Sequence, residues 1–302
     1  MNLLNLLIVK VAQVLPKSFI KIFASRYIAG EYLPEGVRVV KELNSKKIRA
    51  TMDVLGEDTT KLNEAESSTK EALKVLETIS LEKLDSTLSV KLTQLGLKLN
   101  YDICLQNMKM ILTEAKKLNN YIEIDMEDST CTYDTVKIYK ELRKEFANCG
   151  LVMQAYLRDA QNIFNGSLNE LQNSSVRLCK GIYNESEEIA FKVKQEIRNN
   201  FVQLLDFLFA NNIYVGIATH DPYLVDAAKH LILKYNKSFD QFEFQMLLGV
   251  KIDLRDQLVS EGYKVRIYVP FGTEWYKYSI RRMKENPQLA KNIAMNIFSK
   301  RS

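Results

Sequence analysis

Apolar and β-branched residues recur along the chain in eight short runs: Ile48 to Val54, Ser89 to Leu95, Tyr121 to Asp125, Leu151 to Tyr156, Val176 to Lys180, Ile213 to Ala218, Phe242 to Leu247 and Val265 to Val269. Between them lie longer stretches whose apolar positions repeat at three- and four-residue spacing, among them Asn63 to Ile79, Asp102 to Leu118, Thr135 to Ala147, Glu187 to Ala210 and Leu224 to Tyr235. The first pattern predicts strands and the second predicts amphipathic helices. Their regular alternation is the rhythm of βαβ units. Eight such units over about 240 residues predict a closed (β/α)8 TIM-like barrel. A doubly wound open sheet is the alternative, but the glycine-rich turn G-x-G-x-x-G expected there does not occur. The divisions that follow are an N-terminal helical segment over 1–46, the barrel over 47–286 and a C-terminal helical tail over 287–302.

Each predicted strand runs apolar towards its carboxyl end and there meets a polar group. These are Asp53 with Glu57, Lys91 with Thr93, Asp125 with Glu127, Gln154 with Tyr156, Arg177 with Lys180, Thr219 with His220, then Gln245 and Tyr268. In a barrel all these ends converge on one mouth, the face that carries the site. One such residue alone has a simple structural explanation, such as Asp125 capping the next helix; the full set points to a converged site.

The last strand leads into Tyr278, Arg281, Arg282 and Glu285, which stand at i, i+3, i+4 and i+7 and share one face of a helix. A guanidinium fork matches a carboxylate or phosphate. With Lys91, Arg177 and Lys180, the two arginines predict a positive mouth, moderated by Asp125, Glu127 and Glu285, that binds anions. The group is large enough for a phosphate-bearing cofactor beside an anionic substrate. Tyr156, Tyr183, Tyr268 and Tyr278 supply flat apolar walls with polar tips, suited to a ring-containing ligand.

Composition changes this picture little. With 302 residues, 46% hydrophobic and 26% charged, the chain is an ordinary globular one, and a net charge of +5 is too mild and too dispersed for nucleic acid. Cys104, Cys131, Cys149 and Cys179 stand far apart, which fits a reducing, cytoplasmic setting. His220 and His230 are the two histidines, so no metal centre is expected. The apolar start, 1–9, is broken by Lys10 far short of the roughly 20 residues that span a bilayer. Residues 1–30 carry Lys10, Lys17, Lys21 and Arg26 with apolar residues at helical spacing. Such a helix packs on the main domain or lies on an anionic membrane surface.

Eight segments in order, from about residue 24 to 286, carry a family resemblance. They are Asp53-Val54-Leu55-Gly56-Glu57, Lys91-Leu92-Thr93-Gln94-Leu95-Gly96, Asp125-Met126-Glu127-Asp128, Gln154-Ala155-Tyr156-Leu157, Arg177-Leu178-Cys179-Lys180-Gly181-Ile182-Tyr183, Ala218-Thr219-His220-Asp221, Phe242-Glu243-Phe244-Gln245-Met246-Leu247, and the stretch from Tyr268 to Asn286. Together they resemble proline dehydrogenase in its short monofunctional form. The resemblance implies a distorted barrel with N-terminal helices and FAD as cofactor. It implies oxidation of L-proline to 1-pyrroline-5-carboxylate by hydride transfer to FAD N5, with electrons passed to a membrane quinone. At the matching positions, Lys91, Arg281 and Arg282 hold the substrate carboxylate, Tyr268 and Tyr278 pack on the pyrrolidine ring, and Asp125 orients Lys91 or a tyrosine. Gln154, Arg177, Lys180, Gly181, Tyr183, Thr219, His220 and Glu285 contact the flavin. The implied setting is cytoplasmic, on the inner face of the cell membrane. Three positions depart from the family pattern: Asp221 stands where Asn is common, Ile182 where a small residue is, and Cys179 where an aliphatic is. Two rival readings are a Schiff-base aldolase using Lys91 or Lys180 and a non-catalytic amino-acid-binding protein.

Overall fold

A computed structural model describes residues 20–21, 24–56 and 58–285, the last five by their backbone alone. Among the described residues there are eight strands: β1 (Arg49–Val54), β2 (Ser86–Val90), β3 (Ile122–Ile124), β4 (Cys149–Gln154), β5 (Ser175–Cys179), β6 (Tyr214–Ala218), β7 (Phe242–Leu247) and β8 (Val265–Phe271). They pair in sequence order and close through parallel pairing of β1 with β8, in register from Arg49 opposite Arg266 to Val54 opposite Phe271. The fold is the TIM-like barrel.

The outer helices follow from one-sided apolar patterning. In α2 (Leu62–Leu81), Ala65, Thr69, Ala72, Leu76 and Ile79 are buried at three- to four-residue spacing. Its first turn is fixed by Glu64, whose carboxylate accepts the backbone N–H of Thr60 and Lys61 at 2.8 and 3.2 Å. The others are α3 (Tyr101–Lys117), α4 (Thr132–Arg143), the short α5 (Ala160–Asn165) and α6 (Leu168–Leu171), α7 (Lys194–Ala210), α8 (Pro222–Lys234) and α9 (Ile252–Ser260). Pro222 opens α8, where its missing N–H costs nothing.

The ring closes unusually. The position against β8 and β1 is taken by α1 (Leu33–Asn44), from the N-terminal side of the chain. The helix that follows β8, α10 (Trp275–Glu285), packs Tyr278 and Trp275 on Leu55, Ala24 and Ile28, so it sits by the mouth. This displacement is the barrel's distortion. Residues 29 and 30 join β8, with the Ala29 N–H bonded to Pro270 O at 2.9 Å and the Gly272 N–H to Gly30 O at 3.0 Å.

Several boundaries differ from the sequence pattern. The second strand is Ser86–Val90 rather than Ser89 to Leu95, because its polar start is satisfied inside the sheet; Thr87 Oγ1 meets Thr51 Oγ1 at 3.0 Å. Lys91 therefore follows the strand, and 92–99 is a turn. Helix α7 begins at Lys194 rather than Glu187, since 181–193 forms a loop tied back to the end of β4 by the Leu157–Ala190 bridge. The helix expected over residues 1–30 lies mostly outside the described residues, as do Glu57 and the side chains of Arg281, Arg282 and Glu285. No helix among the described residues is long and apolar enough to cross a membrane.

Candidate active site

A pocket of about 240 Å³ opens at the carboxyl ends of the strands, lined among others by Asp53, Lys91, Asp125, Gln154, Arg177 and Tyr268. Lys180, Gly181, Tyr183, His220 and Tyr278 complete its rim and walls. Thr219, expected to touch the cofactor, does not line it; its buried hydroxyl accepts the Asp221 N–H at 3.1 Å.

Asp125, just past β3, is the hub. Its Oδ1 accepts Ser89 Oγ at 2.7 Å and Arg177 Nη1 at 2.7 Å, while its Oδ2 accepts the Tyr268 hydroxyl at 2.7 Å. Lys91 Nζ lies 2.5 Å from Asp53 Oδ1 and 3.4 Å from both Asp125 Oδ2 and the Tyr268 oxygen. Burial by itself raises the Asp125 carboxyl, but Lys91 and Arg177 outweigh it and hold the group below the ordinary carboxylate range. Burial by itself lowers the Lys91 ammonium, and Asp53 and Asp125 outweigh that, raising it above its ordinary value. Burial and the Asp125 charge push the Tyr268 phenol well above its usual value, so it stays a hydrogen-bond donor.

Arg177 projects from the middle of β5 and is held through Nε and Nη1. Its Nε donates to Gln245 Oε1 at 2.7 Å, its Nη1 reaches Ser89 Oγ at 3.2 Å, and its guanidinium lies 5.2 Å from the Tyr268 ring centroid. Gln245 has room because Gly216 of β6, paired with Glu243 in the sheet, has no side chain; a Cβ there would stand 2.3 Å from Gln245 Nε2. Gln245 in turn donates to Glu243 Oε1 at 2.9 Å, and Glu243 pairs with Arg266 at 2.5 Å deeper in the barrel. The barrel axis thus carries stacked polar layers where branched apolar side chains are usual.

This arrangement qualifies the expected positive mouth at its floor, while the Arg281, Arg282 and Glu285 side chains lie outside the described residues. Lys91 and Arg177 are matched by Asp53 and Asp125, so the floor of the pocket is charge-balanced. The polar groups also lie less uniformly at strand ends than expected. Arg177, Gln245 and Tyr268 sit inside their strands, because alternate residues face the axis. Ser89, Glu243 and Arg266 are part of the network and escaped the residue pattern as site members. The available signal was the two-residue alternation of Glu243 with Gln245 and of Arg266 with Tyr268.

The upper wall suits a large ring ligand. Gly181 has φ +94°, and a Cβ there would meet Tyr156 Cδ1 at 2.2 Å, so only glycine lets this turn lie flat on the tyrosine. Among the described residues, Gln154 Oε1 and Arg177 Nη2 are buried polar atoms without a hydrogen-bond partner, and both belong to pocket-lining side chains. An orphan acceptor and an orphan donor would be satisfied by a heterocycle carrying both functions. His220 Nε2 accepts the Leu247 N–H at 2.8 Å, which places the imidazole proton on Nδ1. Thr93 donates its N–H and hydroxyl to Glu127 at 3.1 and 2.5 Å, pinning the turn that carries Lys91.

A family model described as proline dehydrogenase matches residues 37–294. The chain belongs to the proline dehydrogenase family. It is 36% identical over 278 residues to proline dehydrogenase 1 of Bacillus subtilis (strain 168), covering 92% of this chain and 91% of that one. To proline dehydrogenase of Deinococcus radiodurans it is 33% identical over 273 residues, covering 88% and 87%. Among solved structures, proline utilization A from Bdellovibrio bacteriovorus, inactivated by N-propargylglycine, superposes with a TM-score of 0.82 at 24% identity. That match covers 87% of this chain and 33% of the larger protein, and it shows the barrel fold. Within the proline dehydrogenase family, the short relatives are the ones matched nearly end to end.

Proposed function

We propose that the protein oxidises L-proline to 1-pyrroline-5-carboxylate, with FAD as the bound redox cofactor and a membrane quinone as the electron acceptor. The observation that carries this reading is the Lys91 ammonium, fixed by Asp53 and Asp125 beside the Tyr268 hydroxyl at the floor of a pocket whose wall holds an unpaired Arg177 N–H. When bound, FAD supplies the two-electron acceptor for the hydride that leaves the carbon next to the proline nitrogen. The protein's own work is then binding and orientation, and near-attack placement of this kind is worth on the order of 7–11 kcal/mol.

Lys91 is suited to the substrate carboxylate because it is a buried cation that lines the pocket, and its contacts to Asp125 Oδ2 and the Tyr268 oxygen are both long, at 3.4 Å. Tyr268 and Tyr278, which also line the pocket, would pack on the ring. Asp125 acts through its neighbours, holding Lys91, Tyr268 and Arg177. Gln154, Arg177, Lys180, Gly181, Tyr183 and His220, which all line the pocket, would hold the cofactor. A Schiff-base reaction at Lys91 would need its neutral amine, which the two carboxylates disfavour.

The purified protein is expected to be yellow and to bleach when L-proline is added without oxygen; flavin absorbance that L-proline leaves unchanged would reject the reading. Arg281 and Arg282 are proposed to complete the carboxylate clamp with Lys91, and Glu285 to touch the flavin. Arg281→Met and Arg282→Met are each expected to cost about 2–3 kcal/mol in kcat/KM, largely through KM, as for a lost charge-assisted contact. Unchanged steady-state constants in both variants would remove the arginines from the site.

Peripheral membrane contact is proposed for the basic residues Lys10 and Lys17 and their apolar neighbours. Anionic vesicles are expected to sediment the full chain and to lose it when 1–19 are deleted; equal sedimentation of the two proteins would exclude that contact.

A further inference from the structure

Asp221, one of the three departures from the family pattern, is surrounded in a way a neutral amide would not require. Its buried carboxylate receives a two-pronged contact from Arg198, Nε to Oδ2 at 2.9 Å and Nη2 to Oδ1 at 2.7 Å, and Lys180 Nζ lies 3.4 Å from Oδ2. Arg198, from the first turns of α7, is itself held flat, its guanidinium carbon 4.8 Å from the centroid of the Tyr223 ring. The hydrogen bonds from Arg198 pull the Asp221 carboxyl down to about 2, so it is ionised throughout the working pH range. One carboxylate therefore serves two cations, and one of those cations, Lys180, lines the pocket.

The arrangement makes the charge felt at the pocket rim adjustable. Lys180 is 37% exposed while Asp221 is 5% exposed, so the ammonium can face an incoming anion while its counter-charge stays fixed behind it. Arg198 takes up most of the carboxylate's hydrogen-bonding capacity and limits how strongly Lys180 is drawn back. We infer that the Asp221–Arg198 pair is a positioning and attenuating device for Lys180, setting how tightly this rim holds the diphosphate of the bound dinucleotide. The inference rests on the flavin reading above and assigns Arg198 and Asp221 a part in cofactor affinity without direct contact with the cofactor.

The test uses the signs of two substitutions. Apoprotein is titrated with FAD, and separately with inorganic diphosphate, at low and high ionic strength. Asp221→Asn keeps the shape and removes the charge, freeing both cations, and is expected to tighten both ligands about 3- to 10-fold at low ionic strength, with a steeper salt dependence. Arg198→Gln leaves the carboxylate to Lys180 alone and is expected to weaken both ligands by a similar factor. Arg198→Lys, which keeps the charge and loses the fork, falls between the wild type and Arg198→Gln. A purely structural pair predicts weakening in both Asp221→Asn and Arg198→Gln, and that result overturns the inference. If the wild type takes up FAD and Asp221→Asn does not tighten it, the inference falls and the flavin reading stands. If the wild type takes up neither ligand, both fall.

Discussion

Lys91→Met is expected to lower kcat/KM for L-proline by about 3–5 kcal/mol, roughly 10²- to 10⁴-fold, and to destabilise the fold by a similar amount. The two effects share a cause. Lys91 is the cation between Asp53 and Asp125, and its removal leaves buried carboxylates facing each other across an apolar gap. Asp53 is the more exposed to this loss energetically, since its Oδ2 already lacks a partner. A second change separates the roles. Lys91→Met combined with Asp53→Asn removes the unpaired charge and should recover most of the lost stability in urea denaturation, while proline turnover stays low. Recovery of turnover along with stability would mean that Lys91 is a structural cation and that another group binds the substrate carboxylate.

Arg177→Met is the other severe substitution. The guanidinium joins three strands through Asp125, Ser89 and Gln245, and it stacks by Tyr268. Loss of about 3–5 kcal/mol of stability is expected from the broken buried pair, together with loss of bound flavin during purification. Arg177→Lys should rescue little, because one ammonium cannot replace a planar fork that reaches Gln245 and Asp125 at once. Flavin content and thermal unfolding, measured on the same samples, check both parts. Full flavin retention in Arg177→Met would show that the orphan N–H of this residue does not face the cofactor.

Strand number, strand order and the site at the carboxyl ends were legible in the sequence, because period-2 and period-3.6 patterning survives wherever an element has one wet and one dry face. What was not legible follows from the barrel's interior. Ser86, Thr87 and Ser89 make β2 look like a loop, yet Thr87 and Ser89 are satisfied across the sheet by Thr51 and by Glu123 and Asp125, and Ser86 by the adjacent Thr87 carbonyl. The same geometry hides the balance of charge at the site. Sequence presents Lys91 and Arg177 as two cations 86 positions apart in the chain; only closure of the sheet shows that Asp53 and Asp125 already neutralise them. Arg198 is a further case. Mid-helix arginines are commonplace, and nothing near it in sequence points to Asp221.

Closure of the ring by α1 and β1 also has a consequence for how the chain folds. Arg266 Nη1 bonds to Ala50 O across 216 residues. At a synthesis rate of about 5–20 residues per second, β1 waits roughly 10–40 s for β8 to be made. During that interval the β8-facing edge of β1 and the part of α1 that packs on β8 have no native partner. An element made early is thus among the last to be fully satisfied, and the exposed edge of β1 is a liability for mispairing until β8 is made.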